Sequence, residues 1–86
     1  MKARAIFAWN LRRLRLERGI SQERLAYDAE IDRAYVSELE RKRGNATLDL
    51  IEKLAKVLDV RMQDFFLESR AGQKPLKALK SGPRKS

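Results

Sequence analysis

The chain has 86 residues, which leaves room for one small domain and excludes a second folded domain. It contains no cysteine and no histidine, so disulfide bridges, zinc fingers and most hydrolase sites are excluded. The longest apolar stretch near its start, residues 5–9, falls far short of the roughly 20 residues that span a bilayer. We therefore expect a cytoplasmic protein with no cofactor, metal ion or membrane contact, and an enzyme is the least expected class.

Charge is distributed unevenly along the chain. Twenty basic against twelve acidic residues give a net charge of +8, which favours a polyanionic partner such as nucleic acid. Residues 1–68 carry fourteen of the basic and all of the acidic residues, whereas residues 69–86 carry six basic and no acidic residues. We predict a folded domain over 1–68 and a basic, flexible tail over 69–86 that contacts phosphates. The alternatives for the tail are an extra helix built on Leu76 and Leu79, contact with an unidentified protein partner, and no role.

The spacing of apolar residues predicts five helices and no strand. The predicted helices span about residues 6–18, 22–29, 33–41, 48–59 and 62–67. Gly19 ends the first helix, and the side chains of Ser21, Asp32 and Thr47 are placed to cap the second, third and fourth. The fourth carries the clearest amphipathic stripe, which begins at Leu48. The chain is therefore expected to be all-α.

The second and third predicted helices are joined by only three residues, 30–32, so they must cross steeply. A steep crossing requires small contact residues, which Ala26 and Ala29 supply on the second helix. Leu25, Ile31, Val36 and Leu39 surround the crossing as inward-facing residues. This arrangement predicts a helix-turn-helix.

The third predicted helix has an open face suited to reading DNA. With Val36 and Leu39 buried, the opposite side carries Ala34, Ser37, Glu38 and Arg41, flanked by Arg33 and Tyr35. Arg33 is suited to a bidentate contact with guanine, and Ala34 to a contact with a thymine methyl group. Glu38 either accepts a hydrogen bond from cytosine or pairs with Arg41 or Lys42, and we prefer the ion pair.

The sequence resembles the phage-repressor and Cro type of helix-turn-helix regulators, the Xre family, with some similarity to restriction-modification controller proteins. The resemblance covers about residues 7–67. It is carried by Gly19-Ile20-Ser21-Gln22-Glu23, Leu25-Ala26, Tyr35-Val36-Ser37, Leu39-Glu40-Arg41 and Leu54-Ala55-Lys56-Val57-Leu58.

The resemblance implies a compact five-helix, lambda-repressor-like fold that binds double-stranded DNA. Such proteins usually act as homodimers on palindromic operators, with the third helix in the major groove. Carried over by position, the base-reading residues are Arg33, Ala34, Ser37 and Glu38. The expected phosphate contacts are Gln22, Tyr35, Arg41, Lys42, Arg43 and Asn45.

Two structural expectations also follow from the resemblance. Arg15 and Glu40 match a pair that ties the first helix to the end of the third. The fifth helix commonly supplies the two-fold interface, here through Met62, Phe66 and Leu67. Trp9 and Phe65 are interpreted as core residues.

Three departures from the family pattern bear on dimer geometry. Glu30 and Asp59 stand where glycine often follows a helix, and Arg61 replaces the usual serine cap before the fifth helix. A residue other than glycine in the left-handed backbone conformation lowers the stability of the fold by about 1 kcal/mol. The leading interpretation is a transcriptional regulator, and both a repressor and a controller role stay open within it. The alternatives are an antitoxin and a protein-interaction or coactivator module that reuses the fold.

Overall fold

The computed structural model describes residues 2–68, which form four α-helices and a short 3₁₀ turn, with no strand in that range. The elements are α1 (Ala3–Glu17), α2 (Gln22–Ala29), α3 (Arg33–Glu40), α4 (Leu48–Leu58) and the C-terminal turn (Met62–Phe66). The all-α prediction is confirmed, although α1 begins three residues earlier than predicted. The predicted tail lies outside the described residues.

One core lies between the four helices and the C-terminal turn. Its fully buried side chains come from every element, namely Leu11, Leu25, Val36, Leu39, Leu54, Leu58 and Phe65. Ala26 and Ala29 are buried where α2 and α3 cross, as the helix-turn-helix prediction requires. Burial of each large apolar side chain contributes about 1.5–3 kcal/mol, so contacts with the other elements hold the short α2 and α3 in place.

Two of the three predicted capping side chains are confirmed. Ser21 Oγ accepts a hydrogen bond from the Arg24 N–H at 2.9 Å, and Thr47 Oγ1 accepts one from the Leu50 N–H at 3.0 Å. The prediction for Asp32 is wrong, because its side chain makes no capping bond. The Tyr35 N–H that it would have satisfied donates instead to the Asp32 backbone carbonyl, at 3.0 Å.

A left-handed residue follows each of the four helices, and the one after α3 is Lys42. Gly19 closes α1 at a φ of 70°, which suits glycine. Glu30 after α2 and Asp59 after α4 adopt the same region at 61° and 57°, although each carries a Cβ. Glu30 and Asp59 therefore take the left-handed conformation that glycine adopts without strain, and each stores about 1 kcal/mol of backbone strain.

The prediction of a fifth α-helix is wrong, because the segment forms a five-residue 3₁₀ turn. Its start is held by Asp64, whose carboxylate accepts from the Arg61 N–H at 3.0 Å. Its end is held by Asn10, whose side-chain amide donates to the carbonyls of Phe65 and Leu67, both at 2.9 Å. A side chain of α1 thus satisfies carbonyls that a longer helix would have paired internally.

Two apolar residues lie differently from the prediction. Leu48, assigned to the buried stripe of α4, is 74% exposed because it occupies the first helical position, outside the packed turns. Trp9, interpreted as core, is half-buried, with the Arg13 guanidinium carbon 5.4 Å from its ring centroid. Phe65 is fully buried, as predicted. Within residues 2–68, no helix is long and apolar enough to cross a membrane.

Candidate nucleic-acid interface

The outer face of α3 combines an uncompensated cation with small side chains. Arg33 and Ala34 are exposed, whereas Ser37 and Glu38 are half-buried. Within residues 2–68, no carboxylate lies within 4 Å of the Arg33 guanidinium. By contrast, Asp28 accepts a hydrogen bond from Arg24 on α2 at 2.9 Å and raises the pKa of Arg24. Unlike Arg24, Arg33 therefore has no carboxylate partner among residues 2–68 and is open to an anionic ligand.

Arg41 pairs with a hydroxyl rather than with a carboxylate. Its Nη2 donates to Ser37 Oγ at 2.7 Å, one helical turn away. The expected ion pair of Glu38 with Arg41 or Lys42 is absent from the described residues, so that interpretation is corrected. Because Ser37 uses only a lone pair in this contact, its hydroxyl proton remains free to donate.

The structure brings Arg15 of α1 and Glu40 of α3 into a bidentate ion pair. Arg15 Nε lies 2.7 Å from Glu40 Oε2, and Nη2 lies 3.0 Å from Oε1. The third guanidinium nitrogen, Nη1, donates to the Ile20 carbonyl at 2.9 Å. The two side chains are only 8% and 3% exposed, so the pair fixes the end of α3 against α1 away from solvent.

Gln22, an expected phosphate contact, belongs to the same network. Its Nε2 donates to Glu40 Oε1 at 3.0 Å, beside the bond from Arg15. A primary amide has two N–H donors, so one remains free at the start of α2. The ion pair thereby orients Gln22 as well as α3.

The loop after α3 holds the other expected phosphate contacts. Lys42 and Arg43 are exposed, and Lys42 adopts a left-handed φ of 68°. The Tyr35 hydroxyl donates to the Asn45 carbonyl, and Asn45 Oδ1 accepts from Arg4 Nε at 3.1 Å and from Arg4 Nη2. Two expected contacts, Tyr35 and Asn45, are thus tied to each other, and α1 is tied to the loop.

Close packing shapes the same loop at Gly44. A Cβ at this position would lie 2.9 Å from Leu39 Cδ2 and 3.3 Å from Tyr35 Cε1. Any side chain would have to displace the side chain of Leu39 and press against that of Tyr35. The glycine therefore sets how closely the basic loop approaches α3.

The expected dimer residues form an exposed apolar patch on and beside the C-terminal turn. Met62, Phe66 and Leu67 are 38%, 45% and 47% exposed. Phe66 also lies 6.1 Å from Phe7 between ring centroids, so the patch continues into the core. Large apolar side chains left partly open beside a packed core are typical of a contact surface.

Sequence reasoning missed a buried polar cluster on α1. Asn10 is fully buried, and its Oδ1 accepts from Arg13 Nη2 at 2.9 Å. Arg13 is also buried, and its nearest carboxylate is the half-exposed Glu17 at 3.3 Å. The available signal was the position of Asn10, which lies four residues after Ile6 and four before Leu14 in the apolar stripe.

The helix-turn-helix family model (HTH_3) matches residues 11–65 of the chain. This chain belongs to the helix-turn-helix family. The match contains α2, α3 and the Arg15–Glu40 ion pair, together with all of α4. The resemblance to Xre-type regulators is thereby confirmed.

Three relatives give the match more detail. A hypothetical transcription factor of Neisseria meningitidis is 51% identical over 57 residues, which are 66% of this chain and 54% of that protein. Control protein C.BamHI of Bacillus amyloliquefaciens is 40% identical over 71% of this chain and 76% of its own length. The controller C.Esp1396I, solved on a 19-base-pair DNA duplex, is 35% identical with a TM-score of 0.69, covering 77% of this chain and 88% of that one.

The matched segment thus spans about half the length of the Neisseria relative. None of the three is an enzyme, in agreement with the expectation from the sequence. Their roles are those of transcription factors and controllers, which directs attention to the open face of α3.

Proposed function

We propose that this protein is a sequence-specific transcription regulator that binds a palindromic operator as a homodimer, with α3 in the major groove. The observation that carries the proposal is Arg33 at the start of α3, which is exposed and has no carboxylate within 4 Å among residues 2–68. Small side chains follow it on a helix that a buried ion pair holds against α1. Arginine paired with guanine is the commonest specific contact in the major groove. Cytoplasmic operator DNA is the proposed partner.

Base reading is assigned to the outer face of α3. Arg33 would contact guanine, and the Ala34 methyl would contact a thymine methyl group. Ser37 would donate its free hydroxyl proton to a base edge. Glu38, which has no cation within 4 Å among residues 2–68, would accept from cytosine.

Phosphate contacts are assigned to the two ends of the helix-turn-helix. Gln22 would use its remaining amide hydrogen at the start of α2, where the helix dipole favours an anion. Arg41, Lys42 and Arg43 supply three consecutive exposed cations at the other end. The Asn45 side-chain amide would add an uncharged donor beside them, and the Tyr35 hydroxyl would add another by exchanging its bond to the Asn45 carbonyl for one to phosphate. Such contacts set register and orientation, whereas the base contacts carry the sequence information.

One relative supports duplex DNA as the partner. C.Esp1396I has been solved as a tetramer on its natural 35-base-pair operator as well as on the shorter duplex. That protein shares the fold of this chain at 35% identity. We extend DNA binding to this chain on the strength of its own α3 face and its basic loop.

Selection of bound sequences from random duplex DNA tests the proposal directly. We expect a palindrome with a guanine in each half-site, and Arg33→Ala should weaken binding by about 1–3 kcal/mol while relaxing preference at that position. Arg24→Ala is the matched control, since Arg24 is an exposed helical arginine paired with Asp28. Recovery of no preferred sequence, with protein partners captured instead, would favour the interaction-module or antitoxin alternative.

Phe66→Glu tests the proposed interface. Because Phe66 is almost half exposed, a charge there should remove the subunit contact and leave a folded monomer. Sedimentation over micromolar concentrations measures the change, with Leu48→Glu as a control at a leucine of α4 that is 74% exposed. A monomeric wild type, or a variant that unfolds, would contradict the assignment of Phe66.

Residues 69–86 lie outside the described part of the chain, and the proposal for them rests on charge alone. Their six basic and no acidic residues favour an arm that binds phosphates without reading sequence. Deleting them should weaken operator and scrambled DNA binding by similar factors and leave the selected sequence unchanged. Loss of dimerisation on deletion would instead assign the tail a structural role.

A further inference from the structure

We propose that Arg4, in the first turn of α1, contacts the phosphate backbone of the same DNA that α3 reads. This inference rests on the proposed function and adds a residue of α1 to an interface otherwise built from α2, α3 and the following loop. Its starting point is the two hydrogen bonds that join the Arg4 guanidinium to the side chain of Asn45.

The partner of Arg4 distinguishes it from most of the other fixed arginines of the domain; among residues 2–68, Arg41, which donates to Ser37 Oγ, is likewise held by a neutral group with no carboxylate within 4 Å. Arg13, Arg15, Arg18 and Arg24 each lie within 4 Å of a carboxylate. Arg4 is fixed by a neutral amide oxygen, and no carboxylate of residues 2–68 lies within that distance. Its positive charge is therefore held in place without being neutralised.

Most of the donors on Arg4 remain unused. A guanidinium carries five N–H groups, and the contact with Asn45 Oδ1 occupies one on Nε and one on Nη2. The two on Nη1 and the second on Nη2 are left, and the residue is exposed. These three donors match the oxygens of a phosphate, which arginine binds through its planar fork.

The location of Arg4 is fixed by the loop that follows α3. Asn45 is held by its carbonyl to the Tyr35 hydroxyl and by its side chain to Arg4, so the guanidinium is attached to the basic loop of Arg41, Lys42 and Arg43. We therefore expect a DNA backbone that binds along this loop to come within reach of Arg4. Because the side chain is already ordered by Asn45, binding costs less conformational entropy than it would for a free arginine.

Salt titration of DNA binding tests this contact in the full-length protein. The probes are a duplex recovered by selection and a scrambled duplex of equal length. Each phosphate contact contributes about 0.9 to the slope of log K against log salt. Arg4→Ala should therefore flatten the slope by about 0.9 per subunit on both probes and weaken both by about tenfold. The selected sequence should stay the same, because a phosphate contact carries no base information.

Two further variants separate contact from general charge. Arg4→Lys keeps the charge but not the fork, so it should restore the slope and only part of the affinity. Arg12→Ala removes an exposed α1 arginine that has no carboxylate within 4 Å among residues 2–68, and it should leave the slope unchanged. Equal flattening by Arg4→Ala and Arg12→Ala would overturn the proposal, because it would indicate a long-range effect of net charge.

Failure of this inference is distinguishable from failure of the proposed function. Normal wild-type binding with an unchanged slope in Arg4→Ala would overturn the Arg4 contact alone. No binding of any duplex by the wild type would overturn both. Thermal unfolding checks that each variant is folded when its DNA binding is measured. We expect the unfolding midpoint of Arg4→Ala to match that of the wild type because the side chain is exposed.

Discussion

Helix α1 carries two buried polar networks that hold different parts of the molecule. One joins Arg15 to Glu40 and Gln22 and so fixes the helix-turn-helix. The other joins Asn10 and Arg13 to the backbone of the C-terminal turn, where the exposed apolar patch lies. Positions 13 and 15 are separated by about 200° around a helix, so the networks face opposite sides. One helix thus anchors the proposed reading surface and the proposed subunit surface independently.

The networks differ in how charge is compensated. Arg15 meets a carboxylate that is 3% exposed, so each charge depends on the other. Arg13 meets a neutral amide oxygen, a backbone carbonyl at 3.4 Å and the half-exposed Glu17. Breaking a buried ion pair strands a charge, whereas removing Arg13 strands none. The reading side should therefore be more sensitive to single substitutions than the subunit side.

The largest effect is expected at the buried ion pair. Glu40→Ala should lower the free energy of unfolding by about 3–5 kcal/mol, because Arg15 is left buried without its partner. Adding Arg15→Ala to this variant should lower the free energy of unfolding by far less than a further ~3–5 kcal/mol. A double-mutant cycle in denaturant unfolding measures the coupling.

The matched control for this cycle is the exposed pair of Arg24 and Asp28, whose nitrogen–oxygen distance of 2.9 Å is similar. Exposed pairs contribute little, so its coupling should be small. Equal coupling energies in the two cycles would mean that burial does not strengthen the dependence of Arg15 on Glu40. The reading side of α1 would then not be the more sensitive one.

A smaller effect is expected on the other side of α1. Asn10→Ala leaves the Phe65 and Leu67 carbonyls without their donor, which should cost about 2–3 kcal/mol of unfolding free energy. It should also weaken dimerisation, because these two bonds hold the backbone on either side of Phe66 in the patch, while the selected DNA sequence stays unchanged. Gln63→Ala, an exposed change in the same turn, is the control. A loss no larger than that of the control would remove Asn10 from its anchoring role.

Arg13→Met should have a still smaller effect, about 1–2 kcal/mol, from the lost hydrogen bonds and the lost contact with Trp9. The methionine preserves much of the buried volume and leaves no charge behind. Because the chain has one tryptophan, its fluorescence reports directly on the departure of the guanidinium. If Arg13→Met were as damaging as Arg15→Met, the two networks would be equivalent, contrary to the argument from charge.

The difference between the networks also explains what the sequence made predictable. The bounds of α2 were predicted to the residue, because Ser21 and the apolar spacing act locally. The fold class and the position of the helix-turn-helix followed from the same periodicity. The Arg15–Glu40 pair was suggested by the family resemblance. The DNA-contacting roles of the α3 residues remain predictions, because they depend on a partner molecule and not on how the chain packs against itself.

The parts that escaped prediction depend on distant contacts. Asn10 bonds to carbonyls 55 and 57 residues away, and nothing near it in the sequence indicates that partner. The same contact satisfies carbonyls at the end of the 3₁₀ turn, where the sequence had predicted a fifth α-helix. Arg4 was missed because its partner, Asn45, is 41 residues distant. Apolar periodicity describes which face of a helix is buried, but it does not identify the polar side chains that join one element to another.

The smallest predicted effect is at Glu30, within the turn of the helix-turn-helix. Its left-handed φ of 61° is strained for glutamate and relaxed for glycine, so Glu30→Gly should stabilise the fold by about 0.5–1 kcal/mol after the entropy of the unfolded glycine is deducted. Glu30→Ala keeps the strain and serves as the control. Gly19→Ala should do the reverse, because φ is 70° there and a new Cβ would meet no atom within 4 Å, which leaves backbone strain as its only cost. If Glu30→Gly were no more stable than Glu30→Ala in denaturant unfolding, backbone strain at Glu30 would not lower the free energy of unfolding.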